Sequence, residues 1–223
     1  MDYEFITMYI PLYVEAAKLT IRIAAYGITG AFAVGITCCM IKELKIPILK
    51  QIVQMYIELS RNTPLLIQLF FLYFGLPKLE IVLSSEVCGV IGLIFLGGSY
   101  MAEGFRTGID NVPYIQREAA YSLGMTKRQT FLKVILPQAI ATSVPVFCTN
   151  IIFLIKETSV FSAVALADLM YVTKDLIGLY YKTDEALFML VISYLVILLP
   201  ISLISSWIER RVRYAGFGDT GTV

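Results

Sequence analysis

Apolar residues in this chain are gathered into long runs separated by short polar segments. Leu19–Ile41 carries one charge, Arg22, near its start. Pro64–Leu76 carries none, and extending it back to Met55 adds Glu58 and Arg61. Val87–Met101 carries none and continues to Ile109 through Glu103 and Arg106. Ala139–Ile155 is uncharged, and so is Ala186–Ile208. A membrane-spanning helix needs about 20 mostly apolar residues. Two runs meet that length outright, and three reach it only with polar residues included. The pattern predicts an all-α integral membrane protein with five transmembrane helices, residues 1–223 forming a single transmembrane domain. Val160–Val172 is apolar apart from Asp168, but it is short and Lys174-Asp175 follows at once. It predicts an outer short helix near 161–171 rather than a sixth span.

Charge sets the expected orientation, because loops facing the cytoplasm carry the Lys/Arg excess. With five spans, one side holds Lys42, Lys45, Lys50, Arg106, Arg117, Lys127, Arg128, Lys133, Arg210, Arg211 and Arg213. The other side holds Lys78, Lys174 and Lys182. The bias places the N-terminus outside and the C-terminus in the cytoplasm. The opening Met1-Asp2-Tyr3-Glu4 lacks the basic region of a signal peptide.

Composition removes several function classes. The chain of 223 residues is 58% hydrophobic and 16% charged, with a net charge of +1. That balance argues against nucleic-acid binding, which shows a basic excess. There is no histidine, so Ser-His-Asp and Cys-His nucleophiles and His-ligated zinc are excluded. Cys38, Cys39, Cys88 and Cys148 lie in apolar runs and read as small buried side chains, with no disulfide framework and no metal-ligand spacing. No Gly-x-x-x-x-Gly-Lys-[Ser/Thr] phosphate loop is present. Energy for any active transport must therefore come from another chain, and this one is expected to be no enzyme.

Residues 110–138 are too long for a simple turn and too patterned for disorder. Asn111 is placed to cap a helix with Pro113 early in it. Ile115, Ala119 and Leu123 follow at i, i+4 and i+8 as one apolar stripe. Gly124 interrupts. Thr126-Lys127-Arg128-Gln129 has capping-box spacing and predicts a second helix, with Phe131, Val134 and Ile135 on its apolar face before Leu136-Pro137. The expected unit is a short helix, a glycine hinge and a second helix on the cytoplasmic side.

Glu118-Ala119-Ala120, then Gly124, then Ile135-Leu136-Pro137 resembles the EAA loop of permease subunits from bacterial ATP-binding-cassette importers. Tyr56-Ile57-Glu58-Leu59-Ser60-Arg61-Asn62-Thr63-Pro64-Leu65-Leu66 is similar to the Arg-Gly-Thr-Pro signature of the polar amino acid branch, with Asn62 in place of the usual Gly. Tyr73-Phe74-Gly75-Leu76-Pro77 ends the second run as that branch does. Ser99-Tyr100-Met101-Ala102-Glu103 with Phe105-Arg106 resembles its third span. Lys156-Glu157-Thr158-Ser159 resembles its Lys-Asp-Thr-Ser, with Glu157 for the usual Asp, and Glu209-Arg210-Arg211 resembles its tail. The resemblance runs roughly from residue 15 to residue 215.

What the resemblance implies is a type I importer in the bacterial plasma membrane, working by alternating access. Two permease subunits, identical or paralogous, form the pathway. Two copies of a cytoplasmic ATPase bind ATP and Mg, this chain holding no cofactor. An external solute-binding protein delivers the amino acid, for which glutamine, cystine, arginine and histidine all fit. Glu118, Ala119, Ala120, Leu123 and Gly124 would couple the permease to the ATPase. The rivals are an ATPase-independent secondary transporter or small channel, against which the lack of internal repeats argues, and a membrane anchor or sensor subunit.

Polar residues inside the spans admit two readings. Glu103 and Arg106, at i and i+3, either neutralise each other or serve a gate. Arg61 either snorkels to the interface or fixes the preceding loop. Gln68, Ser99 and Asn150 fall near mid-membrane, to bond a neighbouring helix or to meet a crossing amino acid. Gly97-Gly98-Ser99 would let backbone approach a ligand, and Pro145 would loosen backbone that lines a cavity. Lys156, Glu157, Thr158 and Ser159 close the fourth span at its outer end, either to hold the amine and carboxylate of an amino acid or to mark the interface.

Overall fold

The computed structural model describes residues 1–43 and 46–212. Lys45 and Arg213 of the charge count lie outside the described residues. Helix α1 spans Tyr3–Glu43, α2 Pro47–Arg61, α3 Leu65–Phe70, α4 Ser85–Asp110, α5 Tyr114–Ser122, α6 Lys127–Thr130, α7 Leu136–Glu157, α8 Leu169–Tyr180 and α9 Thr183–Val212. Among the described residues, four helical stretches are long and apolar enough to cross a membrane: Tyr3–Lys42, Ser85–Asp110, Lys127–Val164 and Thr183–Val212.

The run expected as one second span is not one helix. Pro64 cannot donate a backbone hydrogen bond and disfavours helical geometry at Thr63. Helix α2 stops at Arg61, with Asn62 as its C-cap, and α3 starts after Pro64. Helix α3 continues through a π turn, Phe71–Gly75, and a 3₁₀ turn, Leu76–Leu79.

Helix α4 is the central post, and α1 lies along it. A Cβ on Gly27 would fall 2.6 Å from Leu93 Cβ, and one on Gly97 2.7 Å from Ala31 Cβ. Such contacts between small residues let two helix backbones approach closely inside a bilayer. Helix α1 has 41 residues, about 60 Å at 1.5 Å per residue, twice a hydrocarbon core of about 30 Å. Its leading end packs on the α8–α9 corner. There Tyr13 Oη donates to the Ala186 carbonyl at 2.9 Å and lies 2.9 Å from Thr173 Oγ1.

Three expectations about helix ends need correction. Asn111 is the C-cap of α4, not an N-cap, because α4 runs on to Asp110; Pro113 takes the N-cap position of α5. The second helix of the 110–138 segment does not stop before Leu136-Pro137. The Thr126–Gln129 capping box starts α6, a π turn at Phe131–Ile135 follows, and α7 continues with Pro137 in its first turn, where a missing N–H costs least. The outer helix near 161–171 is instead a 3₁₀ turn, Thr158–Val164, followed by α8. Lys174 and Asp175 lie inside α8 rather than ending it.

Asp168 explains where α8 begins. Its Oδ1 accepts the Tyr171 N–H at 2.9 Å, an N-cap bond, while its buried Oδ2 has no hydrogen-bond partner. Burial outweighs the helix N–H groups and pushes the carboxyl up to about 6 from its ordinary value of 3.8. A raised carboxyl favours folding most below its ordinary value, and that contribution fades as pH rises through 6. The wild-type protein is therefore expected to gain thermal stability between pH 7 and pH 5. Asp168→Asn, which keeps the cap acceptor without the charge, should lack that gain. Asp168→Ala should lie about 1 kcal/mol below Asp168→Asn at either pH, because it also loses the cap acceptor. Melting curves of the three proteins in detergent check this, and parallel pH profiles for wild type and Asp168→Asn would refute it.

Candidate functional site

The break between α2 and α3 organises several of the polar candidate residues. Gln68 Nε2 donates to the Ser60 carbonyl at 3.1 Å and the Thr63 carbonyl at 2.9 Å. Neither acceptor has a helical partner: Pro64 has no N–H to return to Ser60, and the Ile67 N–H goes to the Pro64 carbonyl at 3.0 Å instead of to Thr63. Ser60 Oγ donates to the Phe95 carbonyl at 2.9 Å and to Ser99 Oγ at 3.1 Å. Tyr56 Oη donates to the same Phe95 carbonyl at 2.7 Å. The end of α2 is thus stapled to the middle of α4.

That staple holds Arg61 against α4. Its guanidinium lies 5.2 Å from the Tyr100 ring centroid, within cation–π range. Its NH1 is 3.7 Å from Glu103 Oε2. The expected Glu103–Arg106 pair is present at 3.3 Å, and Lys42 of α1 joins the same carboxylate at 3.5 Å. Glu103 is therefore the meeting point of α1, α2 and α4.

Two clefts open on either side of Arg61. One, of about 290 Å³, is walled by Arg61, Asn62, Thr63, Pro64, Tyr100, Phe153 and Glu157, with Leu65, Leu66, Leu96 and Val160 closing it. The other, of about 370 Å³, is walled by Gln54, Glu58, Arg61, Asn62, Tyr100, Glu103 and Arg106, with Ile57 at its base. Arg61, Asn62 and Tyr100 form the neck between them.

Glu157 packs beside the middle part of α4. Helices α4 and α7 run antiparallel. Asn150 Nδ2 donates to the Tyr100 carbonyl at 3.2 Å, and Leu154 Cδ1 lies 2.7 Å from the Cβ position of Gly97. One turn further, Glu157 shares its cleft with Leu96 and Tyr100, near the midpoint of α4. The Thr158–Val164 turn extends the helical stretch beyond it.

The remaining candidates divide. Ser99 is fully buried and its Oγ also donates to the Leu96 carbonyl at 2.7 Å. A Cβ on Gly98 would fall 2.6 Å from Tyr56 Oη and from Val34 Cγ1, so protein atoms fill that space. Thr158 is buried and donates to the Ile155 carbonyl at 2.7 Å. Lys156 is exposed, and neither it nor Ser159 lines either cleft. The sequence reading missed Lys42, 61 positions from Glu103 with no local cue. It also missed Tyr100 and Asn62, which neighbour predicted residues at i+3 and i+1 and were open to inference.

At the other end of the molecule, Glu118, Ala119, Leu123 and Gly124 are exposed and Ala120 is buried. The Ile115–Ala119–Leu123 stripe faces away from the bundle, Ile115 being 65% and Leu123 82% exposed. Gly124 has φ +75° with nothing within 4 Å of a Cβ position. The constraint there is backbone handedness, which favours glycine.

Residues 31–214 match the family model described as "Binding-protein-dependent transport system inner membrane component". The chain is 30% identical over 217 residues to the "Probable amino-acid ABC transporter permease protein PatM" of Vibrio harveyi, covering 96% of this chain and 97% of that one. It is 29% identical over 214 residues to the "Glutamine transport system permease protein GlnP" of Escherichia coli K12, covering 95% and 98%. Its fold is similar to the solved structure titled "Crystal structure of an amino acid ABC transporter with histidines", with a TM-score of 0.90, 31% identity, and coverage of 95% of this chain and 99% of that one. The all-α membrane fold expected from the apolar runs is the fold of an ABC importer permease.

Removing the Gln68 amide should leave the Ser60 and Thr63 carbonyls unpaired at the break. Gln68→Leu is expected to destabilise the protein by about 2 kcal/mol, read as a lowered thermal midpoint in detergent. An unchanged midpoint would mean that other groups satisfy those carbonyls.

Proposed function

The chain belongs to the binding-protein-dependent transport system inner membrane components, and from that premise we propose that it is the permease subunit of an ATP-driven importer for a polar amino acid. It is a membrane transport component of the bacterial inner membrane. In this reading α2 and α3 together make the second of five crossings, the N-terminus lies outside and the C-terminus in the cytoplasm. Two permease subunits, identical or paralogous, pair with two copies of an ATPase that binds ATP and Mg, and an external solute-binding protein supplies the amino acid. The likeness to GlnP supports glutamine as the first substrate to try.

One observation carries the proposal. A carboxylate, Glu157, and a guanidinium, Arg61, line one otherwise largely apolar cleft beside the middle of α4. Ionisable side chains at that depth are costly unless they meet each other, water or a charged ligand. An amino acid presents one ammonium and one carboxylate, which Glu157 and Arg61 match. Gln68, Ser99 and Asn150 hold the cleft walls through the hydrogen bonds described above, and Gly98 admits Tyr56. Thr158 fixes the end of α7 beside Glu157 through its bond to the Ile155 carbonyl.

Coupling runs through the exposed end. The bare Ile115–Ala119–Leu123 stripe and the Glu118 charge suit a cleft on the ATPase. The Gly124 turn passes into α6 and the π turn, so displacement of α5 reaches α7 and with it Glu157.

The test is L-glutamine uptake into proteoliposomes carrying the assembled transporter with its binding protein. Uptake should require ATP, and Glu157→Ala should raise the half-saturating substrate concentration for stimulated ATPase. Loss of one charged contact amounts to about 2–3 kcal/mol, or roughly 30- to 150-fold. Uptake without ATP would favour a secondary transporter, and an unchanged Glu157→Ala would remove that residue from the pathway.

A further inference from the structure

The cleft on the Glu103 side of the neck is a second, more polar space, which the amino acid site at Glu157 leaves unused. We propose that it is a second station for the substrate, binding the carboxylate group on the coupling-segment side of Arg61. The inference rests on the permease reading above and extends it to a site that reading does not need.

Charge is the first argument. Lys42, Arg61 and Arg106 converge on Glu103. The other carboxylate of the cleft, Glu58, accepts a hydrogen bond from Gln54 Nε2 at 2.7 Å. Lys42 does not line the cleft; with its pair to Glu103 neutral, the Arg61 and Arg106 guanidiniums that do line it face one further carboxylate, Glu58, and one positive charge is left over. A singly charged carboxylate balances it.

Donor capacity is the second. The contacts of Arg61 and Arg106 to Glu103, at 3.7 and 3.3 Å, are longer than good charge-assisted hydrogen bonds of about 2.7–2.9 Å. Each guanidinium has five N–H groups, and the two side chains remain 42% and 57% exposed. Lys42 is only 15% exposed. It keeps Glu103 neutralised from the buried side while the arginines turn to a ligand.

Connection is the third. Arg61 and Asn62 line both clefts. Arg61 rests on the Tyr100 face, which gives the guanidinium a platform from which either cleft is within reach. Asn62, where the related signature carries Gly, is held by its Nδ2 bond to the Glu58 carbonyl at 2.7 Å and places a carboxamide at the neck. The carboxylate of a substrate leaving Glu157 can remain on Arg61 and be taken over by Arg106.

Arg106→Gln and Arg106→Lys test this in the assembled transporter in proteoliposomes, with L-glutamine as the probe. For Arg106→Gln, ATP-driven uptake should fall about tenfold while the half-saturating L-glutamine concentration for stimulated ATPase stays within about twofold. Arg106→Lys should restore most of the uptake, and the thermal midpoints of all three complexes should agree. Wild-type uptake by Arg106→Gln would overturn the proposal. So would a half-saturating concentration that rises in step with the loss, which would place Arg106 in the first site. Loss without rescue by lysine, or a lowered midpoint, would assign Arg106 to structure and overturn it equally. Failure of the wild-type complex to take up L-glutamine with ATP would instead strike the permease reading and is seen separately.

Discussion

A helix that breaks among apolar side chains must hand its backbone acceptors to something other than water. In this chain Gln68 takes that task. Its amide reaches back to the Ser60 and Thr63 carbonyls, so the break at Asn62–Pro64 leaves those two acceptors satisfied. Ser60 and Tyr56 then fix the broken end to the Phe95 carbonyl of α4. Those few bonds hold the arginine that terminates α2 between two clefts. Without the break, Arg61 would sit on a continuous helix and the neck would not exist.

Around that point the molecule is rigid in one region and jointed in another. Close glycine and alanine contacts lock α1 to α4, and Glu103 draws Lys42, Arg61 and Arg106 to one carboxylate. Glu157, by contrast, sits on a helix that begins beyond the membrane-length core of α4, at the Thr126 cap, and passes through a π turn. Such turns often mark functional positions in helices. A push on the exposed stripe of α5 therefore reaches the Glu157 wall of the cleft more directly than the Arg61 wall. In the proposed importer, alternating access would move one wall past the other.

The apolar runs made most of the architecture legible, because the length needed to cross hydrocarbon leaves few alternatives for stretches such as Ala186–Ile208. Local chemistry was legible where a short motif decides it, as with the Thr126–Gln129 capping box and the left-handed Gly124. It misled where two elements competed for one residue. Asn111 could cap the helix before it or the one after it, and the length of α4 decided. Thr63-Pro64 carried a break signal that the hydrophobic run masked. Glu157 was legible as a candidate, but its neighbours Leu96 and Tyr100 depend on how α7 packs against α4. The Lys42–Glu103 pairing is a product of tertiary packing alone.

The central claim is that an amino acid sits between Glu157 and Arg61, beside the α2–α3 break. Electron cryomicroscopy of the assembled transporter with bound L-glutamine tests it most directly. The account predicts ligand density in the cleft by Tyr100, the ammonium within hydrogen-bond reach of Glu157 and the carboxylate within reach of Arg61. Density away from the break, at the contact between two permease subunits, with Glu157 unliganded and Arg61 still on Glu103, would contradict it.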